Sequence, residues 1–169
     1  VRRNDREITD RALIDAILFE ARVCRLGLAD EGGPYIVPMC FGYDGTALLL
    51  HSSPEGQKIT MIRNNPRCCF EVDLCDGIVK GKNACSWGMH YRSVIGFGRA
   101  TILTDPGEKK HGLNCIMHQY QGGTHEFSDE DIRSVAVIRI AIESMTAKTS
   151  KNLSGSVEDS LEVFSCFRV

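Results

Sequence analysis

Between Tyr35 and His51 two apolar runs meet across a single Asp44-Gly45 pair. Asp-Gly between such runs is a strong signal for a tight β-hairpin, and a chain that turns this sharply must lay its strands antiparallel. The pattern repeats on either side. Cys24, Leu26 and Leu28 alternate with Val23, Arg25 and Gly27, and the run ends at the turn Asp30-Glu31-Gly32-Gly33-Pro34. A strand over 35–43 and its hairpin partner over 46–51 follow. Cys68, Phe70 and Val72 share one face of a strand over 67–74, a long strand covers 91–103, and Ala136, Ile138, Ile140 and Ile142 share a face of a last strand over 135–143.

Three helices interrupt the strands. Leu13, Ile14, Ile17, Leu18 and Ala21 recur at helical spacing after a cap at Thr9 or Asp10. Ser52-Ser53-Pro54-Glu55 reads as the capped start of a second helix, closed by Asn64-Asn65-Pro66. Pro106 to Tyr120 reads as a third. The segment 76–85 is polar and contains Gly and Lys, which suggests an exposed loop able to act as a lid. Strands joined by hairpins with a few flanking helices predict a mainly β chain, its antiparallel sheet closed into a Greek-key-like barrel. One domain over residues 1–150 is expected, followed by a tail over 151–169. In that tail Ser154-Gly155-Ser156 makes a joint, and Val157, Leu161 and Phe164 could form a helical face.

Composition narrows the function. Net charge is −2, and Lys and Arg are spread along the chain without the basic stripe of a nucleic-acid binder. No apolar run approaches the ~18 residues that span a bilayer, and the charged start leads into no signal-like stretch. A cytoplasmic protein is expected. The eight cysteines form no CxxC pair, so they read as free thiols.

Several residues suggest chemistry. His51, Ser52, Gln57 and Lys58 lie where a strand hands over to a helix, a place that suits a phosphate because first-turn amides are unpaired. A plain capped helix with a solvated lysine explains the same spacing. Pro38, within Val37-Pro38-Met39-Cys40, marks an edge strand or a backbone left open to a flat ligand. Val94, Gly96, Gly98 and Ala100 form a small-residue face that lets a ligand or another backbone come close, or simply lines a tightly coiled barrel strand. Arg92 and Ser93 at that strand's start could meet a phosphate. His111, Cys115 and His118 share a helix face, but successive turns of one helix rarely converge on one ion, and no metal site is expected.

Taken together, these segments resemble the FMN-binding split β-barrels related to pyridoxamine phosphate oxidase, and most closely the nitroimidazole-resistance branch. The likeness rests on Ala21-Arg22-Val23-Cys24-Arg25-Leu26-Gly27-Leu28, Pro34 to Met39, Phe41 to Asp44, His51-Ser52 with Glu55-Gly56 and Lys58, and Asn65-Pro66-Arg67. Its most specific part is Trp87-Gly88-Met89 with Tyr91 to Ala100, and it ends near Lys148. The resemblance implies a homodimer with FMN at the subunit interface. It assigns Val37, Pro38, Met39 and Cys40 to the flavin ring through their backbone, and His51, Ser52, Gln57 and Lys58 to the phosphate. Trp87, Tyr91, Arg92, Ser93, Val94 and Lys148 would complete the site, largely from the partner subunit or the adjoining strand.

Three positions depart from the family pattern: Gln57 stands where an arginine is common, His90 replaces a basic residue, and Ala147 replaces a glycine. FAD in place of FMN stays open. The activity implied is that of a flavin-dependent oxidoreductase acting on a small molecule, with NAD(P)H as donor and nitroaromatic compounds as acceptors. His51 is the one candidate for a catalytic proton group, since imidazole titrates near neutral pH. The alternative is a flavin- or small-ligand-binding protein without turnover; haem or pyridoxal phosphate in the same groove is a weaker third reading.

Overall fold

The computed structural model describes residues 3–150. The expected tail, with Val157, Leu161, Phe164 and Cys166, lies outside the described residues, as does Arg2. The order of elements is β1 (Glu7–Ile8), α1 (Arg11–Glu20), β2 (Cys24–Asp30), β3 (Gly33–Met39), β4 (Phe41–Tyr43), β5 (Ala47–Ser52), α2 (Gln57–Asn64), β6 (Arg67–Val79), β7 (Gly88–Ile102), α3 (Pro106–Tyr120), α4 (Asp129–Ser134) and β8 (Ala136–Thr149). Every strand pair is antiparallel. The fold is therefore the mainly β, helix-flanked split barrel expected from the hairpins.

The strands run in the order β3-β2-β6-β7-β8-β5-β4, with β1 added to the far part of β8. The two ends of that path, β3 and β4, are consecutive in the chain and separated only by Cys40. What reads in the sequence as one strand over 35–43 is thus two strands in two ladders, and the chain itself brings the sheet's ends together. Among the described residues β3 pairs with β2 alone. Pro34 and Pro38 share strand parity, so both missing N–H groups can fall on the outer side without breaking that ladder.

One core fills the barrel. Leu26, Phe41, Leu48, Leu50, Phe70, Val72, Ile138 and Ile140 are buried in it, and α1 adds Ile14, Ile17 and Leu18 while α2 adds Ile59, Met61 and Ile62. A second core, with Leu49, Leu113, Ile116 and Val137, lies where α3 covers the outside of β5 and β8. α1 is capped at Asp10, whose carboxylate accepts from the Ala12 amide. At its other end the buried Gln119 amide donates to the carbonyl oxygens of Leu18, Phe19 and Ala21 at 2.8–2.9 Å, supplying three acceptors that a helix end leaves open.

Four expectations need correction. α2 starts at Gln57, with Gly56 rather than a serine in front of it. Ser53 forms only a local turn, its hydroxyl accepting from the Glu55 amide at 3.4 Å. The polar segment after Leu74 is strand as far as Val79, because β7 begins at Gly88 and pairs with it; only 80–87 remains loop. β8 continues to Thr149 past an irregularity near Phe97 and Gly98 that absorbs the extra residue Glu143. The short helix α4 has a Ser128–Asp131 capping box that the sequence pattern did not announce.

The small-residue face of β7 points inward. Val94, Gly96 and Ala100 are buried, and a Cβ on Gly96 would lie 2.2–2.9 Å from three atoms of the Phe70 ring. This face is built to accept an aromatic ring of the core, not a ligand or a partner. Gly96→Ala should destabilise the fold by about 1–3 kcal/mol in urea denaturation, and adding Phe70→Leu should recover part of the loss.

Candidate functional site

Cys40 is the joint between the two ladders, and the residues around it form one end of the site. Phe41 pairs with Leu50, so one step back along each strand brings Cys40 beside His51. Val37 is half-buried and Pro38 and Cys40 are exposed, while Met39 is buried in the core at 8% exposure. Met39 can therefore meet a bound ring only through its backbone, as the resemblance implies. Tyr120, at the end of α3, braces the joint: its hydroxyl accepts from the Phe41 amide at 3.1 Å and donates to the Arg22 carbonyl oxygen. The Arg22 guanidinium lies 5.6 Å from the centre of the Tyr120 ring. Burial pushes the Tyr120 hydroxyl up to about 12, so it stays a neutral hydrogen-bonding group.

The chain leaves β5 at His51 and Ser52 and enters α2 through a turn. Gly56 precedes the helix with φ 119° and no side chain caps the first turn. The other three α-helices among the described residues carry side-chain caps from Asp10, Asp105 and Ser128. The Ile59 amide donates to the Gly56 carbonyl oxygen at 3.1 Å, which leaves the Gln57 and Lys58 amides open beside the half-buried Lys58 side chain, the exposed Gln57 and the Ser52 hydroxyl, which donates to the Ser53 carbonyl oxygen at 2.8 Å. Open N–H groups, a hydroxyl and an ammonium suit an anion. This half of the expected site fits a phosphate.

The second group of expected residues sits elsewhere. Ser93 pairs with Lys148, and Val94 pairs with Ala147, both of the latter pair buried. Tyr91 exchanges two hydrogen bonds with Ser150, one to its hydroxyl at 2.9 Å and one from its amide at 3.0 Å. Trp87 precedes β7 and is half exposed, with the Lys80 ammonium 5.8 Å from its ring centre. Arg92 is engaged on both sides by Glu20 and Asp76.

The two groups do not meet within one chain by way of the strand they share. His51 pairs with Val137 at the start of β8, whereas Ser93 pairs with Lys148, eleven residues further along the same strand. At the usual rise that is roughly 35 Å of strand. His51, Ser52, Gln57 and Lys58 gather beside Cys40, while Trp87, Tyr91, Arg92, Ser93 and Lys148 gather around the start of β7; Val37–Cys40 lie level with that stretch, since Pro38, Arg25, Glu71 and Ile95 form one row across β3, β2, β6 and β7.

On α3, His111 and His118 are exposed while Cys115 is half-buried against the second core, so the three diverge. Among the described residues no cluster of three His, Cys, Asp or Glu side chains is placed to hold a metal. No helix among them is long and apolar enough to cross a membrane. Gln119, Tyr120, Glu20 and Asp76 escaped the sequence reading. Each acts on a partner far away in the chain, such as Glu20 on Arg92, and no local spacing marks such a pair.

Comparison with known proteins gives a consistent family. The sequence profile described as pyridoxamine 5′-phosphate oxidase matches residues 10–149. A candidate 5-nitroimidazole antibiotic resistance protein from Bacteroides thetaiotaomicron is 36% identical, with 85% of this chain and 86% of that one covered and a TM-score of 0.75. A FAD-binding protein from Mesorhizobium loti is 26% identical, with 86% and 98% covered and a TM-score of 0.63. A FAD- and heme-binding protein from Mycobacterium smegmatis shares the fold at 18% identity, with 94% and 80% covered and a TM-score of 0.79. No curated protein matches the chain.

The thiols give a test of this geometry. Cys40, Cys69, Cys75 and Cys85 are exposed, whereas burial pushes Cys24 and Cys68 up to about 12. Iodoacetamide at pH 8, followed by peptide mapping, should label Cys40, Cys75 and Cys85 in the native protein, with Cys69 joining them unless the outer sheet face is covered, and Cys24 and Cys68 only after unfolding. The ordinary thiol value is near 9, and the folded values lie above it. Their contribution to stability is therefore complete below pH 9 and is lost as pH rises toward 12, so the urea midpoint should fall across that window.

Proposed function

The chain belongs to the pyridoxamine 5′-phosphate oxidase family, and on that premise we propose that it is an FMN-dependent oxidoreductase. It works as a cytoplasmic homodimer, taking electrons from NAD(P)H and passing them to nitroaromatic acceptors. The observation that carries the reading is the uncapped first turn of α2 beside Ser52 and Lys58, an anion site one strand end away from the open backbone at Cys40. The likeness to the Bacteroides protein favours nitro compounds as acceptors. The Mesorhizobium protein keeps FAD as the rival cofactor.

When bound, the flavin supplies the hydride and electron chemistry. The protein's residues do the rest. Lys58 and the α2 amides hold the phosphate, with Ser52 as hydroxyl partner and Gln57 as a neutral neighbour where the family often has arginine. The backbone of Val37–Cys40 lies along the ring, and Cys40 and His51 flank it. His51, exposed next to Cys40, is the candidate proton group of the site. Trp87, Tyr91, Ser93 and Lys148 complete the site, largely from the partner subunit, since along β8 they stand eleven residues from the pairing partner of His51.

The outer face of the sheet supports the dimer. Ile36, Gly27, Cys69 and Phe97 are successive cross-strand neighbours on β3, β2, β6 and β7. Ile36 is 69% and Phe97 55% exposed, with Ile95 close by, and the ion pairs of Arg25 with Glu71 and Asp73 border this apolar row. A contiguous apolar row with a charged rim is the anatomy of a protein interface, and a second copy of the same face is the occupant that would also complete the site.

Three outcomes are expected. Light scattering should show a dimer at micromolar concentration, and Phe97→Asp, on a side chain its own core does not need, should give a folded monomer with weakened flavin binding. A monomeric wild type with flavin bound would sink the two-chain site. FMN should bind well and riboflavin poorly, and Lys58→Ala should weaken FMN about tenfold or more. NADH or NADPH should bleach the bound flavin and a nitroaromatic should restore its colour. A flavin that stays oxidised with both donors yet is reduced by dithionite would leave a binding protein, or an enzyme with another donor.

A further inference from the structure

The guanidinium of Arg92 is held by two carboxylates at once. Its Nη1 and Nη2 donate to the two oxygens of Glu20 at 2.7 and 2.9 Å, and its Nε and Nη2 donate to the two oxygens of Asp76 at 3.1 Å each. Two carboxylates paired bidentately already occupy the guanidinium donors that a phosphate would need. A phosphate arriving there would have to displace a bidentate carboxylate and would meet repulsion from the other. Hydrogen bonding to both acids also raises the Arg92 pKa further above its ordinary value, which keeps the cation permanently charged.

What these three residues join is more telling. Glu20 ends α1, Asp76 is the extra residue at the irregularity of β6 between Cys75 and Gly77, and Arg92 lies near the start of β7. β2 pairs with β6 only over Cys68–Glu71, and β8 pairs with β7 only from Arg92 onward. Beyond the Tyr91–Ser150 hydrogen bonds, the arm made by 77–79 and 88–90 is therefore a two-stranded ribbon with no flanking strand among the described residues, and an isolated ribbon of that size is marginal in water. It carries exposed Ile78, Trp87 and Met89. The end of α1 against which Arg92 leans is itself fixed by the Gln119 amide.

We propose that Arg92 is a positioning residue: by clasping Glu20 to Asp76 it sets the angle of the arm, and with it Trp87, while the cofactor phosphate is held by the Lys58 half of the site. The second part rests on the flavin reading above; the clasp itself does not. Arg92 would then act on the cofactor through Trp87, by aiming the arm across the dimer.

Trp87 is the only tryptophan in the chain, so its fluorescence reports the arm directly. The experiment compares the wild type with Arg92→Ala, Arg92→Lys, the double variant Glu20→Gln with Asp76→Asn, and Lys58→Ala. Trp87 anisotropy and amide exchange over 77–91 are measured in flavin-free protein, and FMN and riboflavin affinities are measured alongside. Arg92→Ala and the double variant should each lower the anisotropy and speed arm exchange about tenfold or more. Arg92→Lys, a point charge that cannot bridge two acids bidentately, should fall between them and the wild type. Both flavins should weaken in parallel in these variants, leaving the FMN-to-riboflavin ratio unchanged, whereas Lys58→Ala should collapse it. A collapsed ratio in Arg92→Ala with wild-type anisotropy would overturn the proposal and make Arg92 a phosphate ligand. Unchanged anisotropy and exchange in both Arg92→Lys and the double variant would overturn the clasp even if Arg92→Ala fails to fold. Failure of every protein to bind flavin would count against the cofactor reading alone, since the arm measurements do not need it.

Discussion

Met39 and Phe41 belong to opposite ends of a seven-strand path, and a single residue, Cys40, stands between them. The backbone cannot stretch, so the sheet must curl until its first and last strands lie a few ångströms apart, and almost everything else answers to that demand. The curl needs an interior that a tightly coiled sheet can close around, which Gly96 supplies by admitting the Phe70 ring. It needs plugs, which α1 and α2 provide with their apolar faces. It also leaves the backbone at Cys40 outside both ladders, beside His51, so the open stretch on which the flavin reading depends is a by-product of closure.

Much of this was legible in the sequence because it is local. The Asp44-Gly45 hairpin, the alternation in β2 and β6 and the helical periods of α1 and α3 are all encoded within a few residues. The split of 35–43 into two ladders was not, because alternation continues unbroken through Cys40 and only the choice of partners distinguishes the halves. Strand ends were misplaced for a related reason: 76–85 as a whole reads as loop, yet its first four residues become strand because 88–91 lies opposite them. The cap of α2 was misread since Ser52 and Ser53 have the right chemistry one turn too early.

The candidate site was legible as a set of residues but not as an arrangement. Resemblance gathered His51, Ser52, Lys58, Trp87, Arg92 and Lys148 into one binding place. The register of β8 sets His51 and Lys148 far apart along that strand, a separation that no local motif announces. Side-chain direction was the other blind spot. Val94 was counted among the contacts with no route stated, and its side chain faces the core, as does that of Met39, which was expected to act through its backbone. For Arg92 the deciding facts are two acids at a distance in sequence, which no motif carries.

β8 has a role that no earlier strand can take over. It pairs with β7 on one side and with β5 and then β1 on the other, so among the described residues it alone joins the β4–β5 hairpin to the β3-β2-β6-β7 run. A ribosome that has released everything up to Ser134 has made seven of the eight strands and all four α-helices, but none of the ladders that lock the two halves. Until β8 emerges, β4–β5 remains a hairpin whose inner face is open to water, and the barrel's assembly waits on nearly the last of its described residues. Contacts of such long sequence separation are slow to form. The nascent protein is thus most exposed to misassembly, and most in need of a chaperone, just before its synthesis passes Thr149.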